Sequence, residues 1–240
     1  MKRFALIGHP VQGSHSPRLF RAAYGGRYPY DLIDESSFQA AWDRFLRDYD
    51  GINITAPFKL DAFSAVDIPS AEAISTGAVN LAVKTPGGIA GYNTDVDGVI
   101  GAVRECGRDF EEALVIGTGG AARAAVAAAE KLGLRVTVAG RSEAKASALG
   151  CPGICLEGLR ERPLPEGKPL LLIYTLPGSA PVPDGLPLRG SVVLEAEYRT
   201  PRLRDAQCLQ YIGGERWLLH QAIAGYSLFT GEAPNIEKML

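Results

Sequence analysis

The sequence predicts an α/β fold, on three observations. The first hundred residues alternate short β-rich runs with amphipathic stretches, such as the one that places Phe38, Ala41, Trp42 and Phe45 on one helical face. After Gly107, a strand, a glycine turn, a helix and another strand follow in order. The later strands are apolar almost throughout, as parallel strands covered on both faces require.

In the first half, β-rich runs and a proline-glycine turn define the elements. Ser16 is the expected N-cap of the first helix, with Pro17 at its first position. Pro57 ends a strand, and Pro86-Gly87-Gly88 forms the turn of a hairpin. The predicted strands are 3–7, 30–33, 51–54, 78–84 and 89–92, and the predicted helices are 17–24, 37–47, 58–63 and 95–106.

The second half repeats the strand-helix alternation. Residues 150–169 are rich in Gly and Pro, which predicts an irregular surface segment. The predicted strands are 113–116, 135–139, 170–174 and 192–194, and the predicted helices are 121–132, 143–149 and 215–230.

Composition limits the classes of partner. A length of 240 residues allows one large domain or two small ones, and 46% hydrophobic residues suffice for a core. Since 25 Lys and Arg are balanced by 27 Asp and Glu, no field recruits nucleic acid or a membrane surface. No run of apolar residues approaches the length of about 20 that a membrane-spanning helix needs. A small-molecule substrate is therefore the expected partner.

The cysteines and histidines do not predict a metal site. The four cysteines form no CxxC pair, and the three histidines are not at zinc-ligand spacing around them. We expect free thiols, a cytoplasmic location and no metal.

The glycine turn has the form of a dinucleotide fingerprint, because it follows a strand and opens a helix. Its glycines allow a tight turn and a close approach to a pyrophosphate, and the helix N-terminus favours negative charge. The expected cofactor-binding residues here are Gly117, Thr118, Gly119, Gly120 and Ala121.

The end of the next strand is basic. An NAD-binding domain usually has Asp or Glu there, whereas this chain has Arg141 and Ser142, with Lys145 one turn later. These side chains suit a 2′-phosphate and favour NADP over NAD. The alternative is a solvated Arg at a helix start.

Four polar clusters lie at the ends of predicted strands in the first half. Taken singly, each has an ordinary explanation as a cap, a turn or a strand residue. Taken together, hydroxyls, a Lys, an Asn and an Asp near a nicotinamide would form a pocket for a small polyhydroxylated acid. The clusters are Ser14-His15-Ser16-Pro17, Asn53-Ile54-Thr55-Ala56-Pro57-Phe58-Lys59, Gly77-Ala78-Val79-Asn80 and Gly91-Tyr92-Asn93-Thr94-Asp95.

With these clusters, the glycine turn and Gln221-Ala222, the chain resembles the shikimate dehydrogenase family over nearly its whole length. The resemblance implies NADPH-dependent reduction of 3-dehydroshikimate to shikimate, in aromatic amino acid biosynthesis. It also implies two domains: an N-terminal α/β substrate-binding domain, residues 1–97 with 216–240, and a Rossmann-type NADP-binding domain, residues 98–215.

The resemblance assigns roles to individual residues. Ser14 and Ser16 would hold the substrate carboxylate, and Lys59 would be the catalytic group beside Asp95. The residues that would bind the ring hydroxyls are Thr55, Asn80, Asp95 and Gln221. Tyr198 matches a substrate-side tyrosine of the family, and Gly214 a glycine near the nicotinamide.

The chemistry of the reaction fits these residues. Hydride delivery to a carbonyl leaves negative charge on oxygen, so a positioned acid must donate a proton. Lys59 is the expected acid, and Asp95 is expected to orient it by a hydrogen bond.

The chain departs from the family at three cofactor-domain positions. Gly140 stands in place of an Asn, Tyr174 with Thr175 in place of an Asn-containing segment, and Glu195 in place of an Asp. We therefore expect activity with an altered KM for NADPH.

Alternatives differ in specificity or in class. One is a quinate/shikimate dehydrogenase of broader specificity, and another is a non-catalytic NADP-binding regulator. The paired serines and Arg141 favour the strict shikimate enzyme, while Lys59 and Asp95 argue against loss of catalysis. The expected assembly is a monomer or a homodimer.

Overall fold

The computed structural model describes residues 1–161 and 165–240, which divide into two compact units. Unit 1 comprises Met1–Gly98 and Leu218–Leu240, and unit 2 comprises Val99–Trp217. Within these residues, no helix is both long and apolar enough to cross a membrane.

The first segment of unit 1 contains six strands, four complete helices and the start of a fifth. The strands are β1 Phe4–Gly8, β2 Tyr30–Asp34, β3 Gly51–Ile54, β4 Ile68–Pro69, β5 Leu81–Thr85 and β6 Gly88–Tyr92. The helices are α1 Ser16–Tyr24, α2 Phe38–Asp48, α3 Lys59–Ala65 and α4 Ala71–Thr76, followed by α5 Asp95–Glu105, along which the chain enters unit 2.

The sheet of unit 1 has the order β2-β1-β3-β5-β6-β4. Strand β1 is parallel to β2 and β3, whereas β5 is antiparallel to both β3 and β6. The carboxyl ends of β1, β3 and β6 therefore lie at the same edge as the amino end of β5. Four segments of the chain leave or enter the sheet at this edge.

Unit 2 contains the second set of strands and helices. The strands are β7 Glu112–Ile116, β8 Arg135–Gly140, β9 Gly153–Cys155, β10 Leu170–Tyr174, β11 Ser191–Glu195 and β12 Gln210–Ile212. The helices are α6 Gly120–Lys131, α7 Glu143–Ser147 and a 3-10 helix, Leu156–Glu161. The chain returns to unit 1 along α8 Gly214–Thr230, and α9 Ile236–Met239 follows in unit 1.

All strands of unit 2 are parallel, in the order β9-β8-β7-β10-β11-β12. This is the Rossmann order, and its reversal lies between β7 and β10, where such sheets bind ligands. Every residue of β10 and β11 is buried, which explains the apolar runs 170–173 and 192–194 within them. The prediction of an α/β fold is confirmed.

The core of unit 1 joins its two chain segments. On one side of the sheet, α2 packs through Ala41, Trp42 and Phe45, and Ser37 caps it by accepting a hydrogen bond from Ala40 N. A second cluster brings Phe4 of β1 against Phe229 of α8, with stacked rings 4.9 Å apart. Helix α8 therefore completes the hydrophobic core of unit 1.

The predicted cap of α1 is wrong. Ser16 is the first helical residue, and His15 precedes it without a side-chain cap hydrogen bond. The main-chain N–H of Ser16 instead donates to Ser14 Oγ, at 3.3 Å. Ser14 thus satisfies an N–H that would otherwise be unpaired at the helix start.

The prediction of an irregular segment at 150–169 is wrong for part of its length. Strand β9 pairs with β8 in register Val138↔Gly153, and the 3-10 helix follows it. A Cβ at Gly153 would lie 2.4 Å from Ser147 N, so glycine is what allows this strand to pass α7. Residues 162–164 lie outside the described part of the chain.

Four short elements were not predicted from the sequence: β4, α4, β12 and α9. None exceeds six residues, which is too short for a periodic pattern. Their positions depend on neighbouring strands and helices.

Candidate active site

The shared edge of the unit 1 sheet brings the four polar clusters together. Ser14 and Ser16 follow β1, and Thr55 follows β3. Asn80 immediately precedes β5, and Asp95 comes just after β6 as the first residue of α5. Because these strand ends lie at one edge, segments distant in sequence present polar side chains to one region.

Lys59 and Asp95 form the charged pair of this edge. Lys59 Nζ lies 2.6 Å from Asp95 Oδ2, and the two side chains are only 17% and 12% exposed. Lys59 opens α3, directly after the segment that follows β3, so two separate strand ends position the pair. The pair joins a proton donor to an anion in a largely dehydrated setting, which strengthens their interaction.

Asn80, Thr94 and Gln221 form a hydrogen-bonded group that we call the amide cluster. Asn80 Nδ2 donates to Gln221 Oε1 at 3.0 Å and to Thr94 Oγ1 at 3.1 Å. The main-chain N–H of Thr94 donates to Asn80 Oδ1 at 2.8 Å. All three residues are buried, and Gln221 comes from α8.

The structure brings Asn80 and Gln221 together as the sequence analysis predicts, but it adds Thr94. Thr94 stands in a polar cluster that the sequence singles out, yet sequence reasoning assigned it no role. Its side chain also lies within 3.2 Å of Gln221 Oε1. The only signal in the sequence was its position between Asn93 and Asp95.

The hydroxyls of Ser14 and Ser16 are neighbours. Ser14 Oγ donates to Ser16 Oγ at 3.2 Å, and Tyr226 Oη donates to Ser16 O at 3.2 Å. Tyr226 belongs to α8, so the same helix that holds Gln221 also holds the start of α1. Two adjacent hydroxyls can donate to the two oxygens of one carboxylate.

Thr55 is half-buried and is fixed through its main chain, whose N–H donates to Ile7 O at 2.9 Å. Among residues 1–161 and 165–240, no group hydrogen-bonds to its hydroxyl, which leaves it available to a ligand. A Cβ at Gly8 would lie 2.4 Å from Thr55 Cγ2, so Gly8 makes room for this side chain.

In unit 2, the turn between β7 and α6 has the geometry of a phosphate cradle. Gly117 has φ +121°, and a Cβ there would lie 2.3 Å from Thr175 Oγ1. Gly119 precedes α6, and a Cβ there would meet no atom within 4 Å, so open space adjoins the helix start. Gly120 and Ala121 contribute N–H groups of the first helical turn, which favour an anion.

Next to this turn, Gly140 ends β8 beside Thr118. A Cβ at Gly140 would lie 2.8 Å from Thr118 Cγ2, so the glycine provides space for the threonine. A larger residue at position 140 would collide with the Thr118 side chain, which explains why glycine stands there.

The basic residues after β8 are exposed. Ser142 caps α7 by accepting a hydrogen bond from Lys145 N at 3.5 Å. The side chains of Arg141 and Lys145 make no hydrogen bond or ion pair within the described part of the chain. Both cations are therefore available to a phosphate.

Glu195 fixes the segment that carries Tyr198. Its buried carboxylate accepts hydrogen bonds from Arg202 N at 2.7 Å, Leu203 N at 3.1 Å and Tyr211 Oη at 2.8 Å. Burial, and then the Glu195 carboxylate, raises the pKa of Tyr211 well above its usual range. The negative charge of Glu195 thus organises the turn after β11.

Gly214 and Tyr174 lie close to this segment. A Cβ at Gly214 would lie 2.4 Å from Ala196 O, so only glycine lets α8 begin this near to the end of β11. Tyr174 ends β10 fully buried, and its hydroxyl has no hydrogen-bond partner in the described residues. Burial raises the pKa of Tyr174, which keeps the phenol neutral.

Comparison with known proteins identifies the family. Residues 6–82 match the model of the shikimate dehydrogenase substrate binding domain. The chain is 34% identical to the NADP(+)-dependent shikimate dehydrogenase of Thermus thermophilus, covering 98% of this chain and 95% of the relative. It is 33% identical to the enzyme of the same name from Natronomonas pharaonis, over 100% of this chain and 97% of the relative.

Solved structures agree with these relatives. The shikimate 5-dehydrogenase of Thermus thermophilus, determined in complex with NADP(H) and shikimate, superposes with a TM-score of 0.84 at 31% identity. The alignment covers 100% of this chain and 97% of that chain. The Mycobacterium tuberculosis shikimate dehydrogenase superposes with a TM-score of 0.79 at 28% identity, over 100% of this chain and 97% of the other. The chain belongs to the shikimate dehydrogenase family.

Proposed function

We propose that this protein reduces 3-dehydroshikimate to shikimate with NADPH, as a step in the biosynthesis of aromatic amino acids. The observation that carries the proposal is the 2.6 Å pair of Lys59 and Asp95, at the sheet edge that also holds the serines and the amide cluster. Family membership supports the substrate class, since the full-length relatives are named NADP(+)-dependent shikimate dehydrogenases.

The substrate offers one carboxylate and several ring oxygens. Ser14 and Ser16 would donate to the carboxylate, because their hydroxyls lie 3.2 Å apart. The side chains that would bind the ring oxygens are Thr55, Asn80, Asp95 and Gln221, and the family resemblance adds Tyr198 as a substrate-side tyrosine.

The reaction needs a proton as well as a hydride. When bound, NADPH would supply the hydride that reduces the substrate carbonyl to a secondary alcohol. Lys59 Nζ donates the proton to the carbonyl oxygen as that oxygen becomes negative, and Lys59 then regains a proton from solvent. Asp95 accepts a hydrogen bond from Lys59 and so holds the ammonium in one orientation.

The residues of unit 2 fit NADP. The open space beside Gly119 and the first turn of α6 suit the pyrophosphate. Arg141, with its planar fork of donors, would hold the 2′-phosphate, assisted by Ser142 and Lys145. Gly117, Thr118, Gly120 and Ala121 complete the turn, and Gly214 would border the nicotinamide.

A spectrophotometric assay of NADP reduction tests the proposal. Purified protein is incubated with shikimate or quinate, and with NADP or NAD. We expect the highest kcat/KM with shikimate and NADP. Comparable use of quinate would show a broader specificity, and a preference for NAD would contradict the role of Arg141. Binding of NADP without any turnover would indicate a regulator.

Two further expectations accompany this function. The chain would act as a monomer or a homodimer, which light scattering distinguishes. Its place of action would be the cytoplasm, which fractionation of cells tests.

A further inference from the structure

We propose that Thr94 is a positioning residue for the substrate, because it fixes the orientation of the Asn80 and Gln221 carboxamides. This inference rests on the proposed function and concerns the same site. It follows from the directions of the hydrogen bonds in the amide cluster.

The main chain of Thr94 fixes Asn80. A carboxamide can be turned by half a rotation, which exchanges its donor and acceptor ends. A main-chain N–H can only donate, so the atom that faces Thr94 N at 2.8 Å must be the oxygen of Asn80. Asn80 Nδ2 therefore points to the other side.

Asn80 in turn fixes Gln221. Asn80 Nδ2 has two hydrogens, which are used by Thr94 Oγ1 at 3.1 Å and Gln221 Oε1 at 3.0 Å. Only an acceptor can face this donor, so Gln221 turns its oxygen toward Asn80. The Thr94 hydroxyl has one hydrogen and lies 3.2 Å from Gln221 Oε1 and 3.3 Å from Asn80 Oδ1. Both acceptors are amide oxygens, so either hydrogen bond supports the same orientation.

The consequence is a defined polarity for the substrate contact. Gln221 Nε2 forms no hydrogen bond to any residue in the ranges 1–161 and 165–240, so both of its hydrogens are available. Gln221 thus presents a donor, which selects a substrate oxygen that can accept. Asn80 has no free hydrogen, so it can only accept from the substrate.

The packing of α8 supports this role. Gly225 lies one turn after Gln221 on the same helical face. A Cβ at Gly225 would lie 3.3 Å from Thr94 Oγ1 and 2.8 Å from Leu81 Cδ1. The absence of a side chain there allows Thr94 to reach Gln221.

The test is a double-mutant cycle in full-length protein, with shikimate binding measured by titration calorimetry. Thr94→Val keeps the shape and the main-chain N–H but removes the hydroxyl. We expect the Kd for shikimate to rise about tenfold, and Thr94→Ser to restore it to within about threefold. In a Gln221→Ala background, Thr94→Val is expected to change the Kd by less than about twofold, because valine keeps the main-chain N–H that orients Asn80 and the hydroxyl has lost its Gln221 partner.

The matched control is Thr230→Val, which removes another buried hydroxyl in unit 1, one that bonds Tyr24 Oη at 3.0 Å. Its Kd is expected to stay within about twofold of wild type. The proposal is overturned if Thr94→Val leaves the Kd for shikimate unchanged, or if Thr230→Val raises that Kd as much as Thr94→Val does. It is also overturned if the effects of Thr94→Val and Gln221→Ala on the binding free energy are additive.

Activity separates this inference from the proposed function. A wild type that binds shikimate but reduces no NADP refutes the proposed function, while the binding cycle still decides the role of Thr94. A wild type that binds no shikimate refutes both.

Discussion

Replacing Lys59 by Met removes the proposed acid while keeping a long, unbranched side chain. The ammonium lies 2.6 Å from Asp95 and is largely shielded from water, so no nearby solvent molecule substitutes fully for it. Positioned general acids contribute about 10² to 10⁴ in rate. We expect kcat to fall by about 10³, with the KM for shikimate changed by less than about fivefold.

The same substitution leaves Asp95 buried without its cation. Exposed ion pairs contribute up to about 1 kcal/mol, and breaking a fully buried pair costs about 3–5 kcal/mol. With side chains 17% and 12% exposed, this pair lies between these cases. We expect a loss of about 2 kcal/mol in the free energy of unfolding, measured by urea denaturation.

A control separates catalysis from stability. Lys84→Met removes an exposed lysine of unit 1 that donates to Leu46 O at 2.6 Å, and its kcat should equal that of wild type. If folded Lys59→Met protein retains kcat within about tenfold of wild type, Lys59 is not the acid, since general-acid catalysis contributes more than that.

Other substitutions test the cofactor turn and the buried carboxylate. Arg141→Ala should raise the KM for NADPH about 10- to 100-fold and leave that for NADH unchanged in steady-state assays, because only NADPH carries the 2′-phosphate. Gly117→Ala should lower the free energy of unfolding by about 1–3 kcal/mol, since φ is +121° there. Gly119→Ala, in open space, should keep thermal stability and raise only the KM for NADPH. Burial, and then Glu195, raises the pKa of Tyr211 in the folded protein above its value in the unfolded chain. The stability that neutral Tyr211 contributes is therefore fully present below about pH 10 and declines as the pH rises above that value. Tyr211→Phe should therefore reduce the loss of stability between about pH 9 and 11, measured by urea unfolding; an unchanged loss would contradict this.

Local signals in the sequence account for much of the fold. Gly51–Ile54 and Leu170–Tyr174 have the predicted bounds, because each is a short β-rich run with a proline nearby, Pro57 after the first and Pro169 before the second. The glycine turn at Gly117 was also predicted from a local signal, since strand, turn and helix are contiguous. In contrast, the pattern predicts Ser16 as the cap of α1, whereas Ser14, two residues earlier, accepts the hydrogen bond from the Ser16 N–H.

No local pattern in the sequence predicts the hydrogen bonds of the amide cluster. Gln221 and Asn80 were matched by family resemblance, but their direct contact spans 141 positions of sequence. Thr94 orients Asn80 through its main-chain N–H, a group that every residue except proline has, and only its contact with Gln221 depends on the threonine hydroxyl. The unpartnered hydroxyl of Tyr174 likewise depends on which side chains surround it after folding.

Unit 1 is built from two segments of the chain that unit 2 separates, so the order of synthesis on the ribosome affects its folding. Phe4 is made before unit 2, whereas its stacking partner Phe229 is made after it. The intervening unit 2 is continuous, so all its contacts become available earlier. The nascent chain must therefore carry an incomplete apolar surface until helix α8 leaves the exit tunnel, and during that interval chaperones would have their best opportunity to bind it.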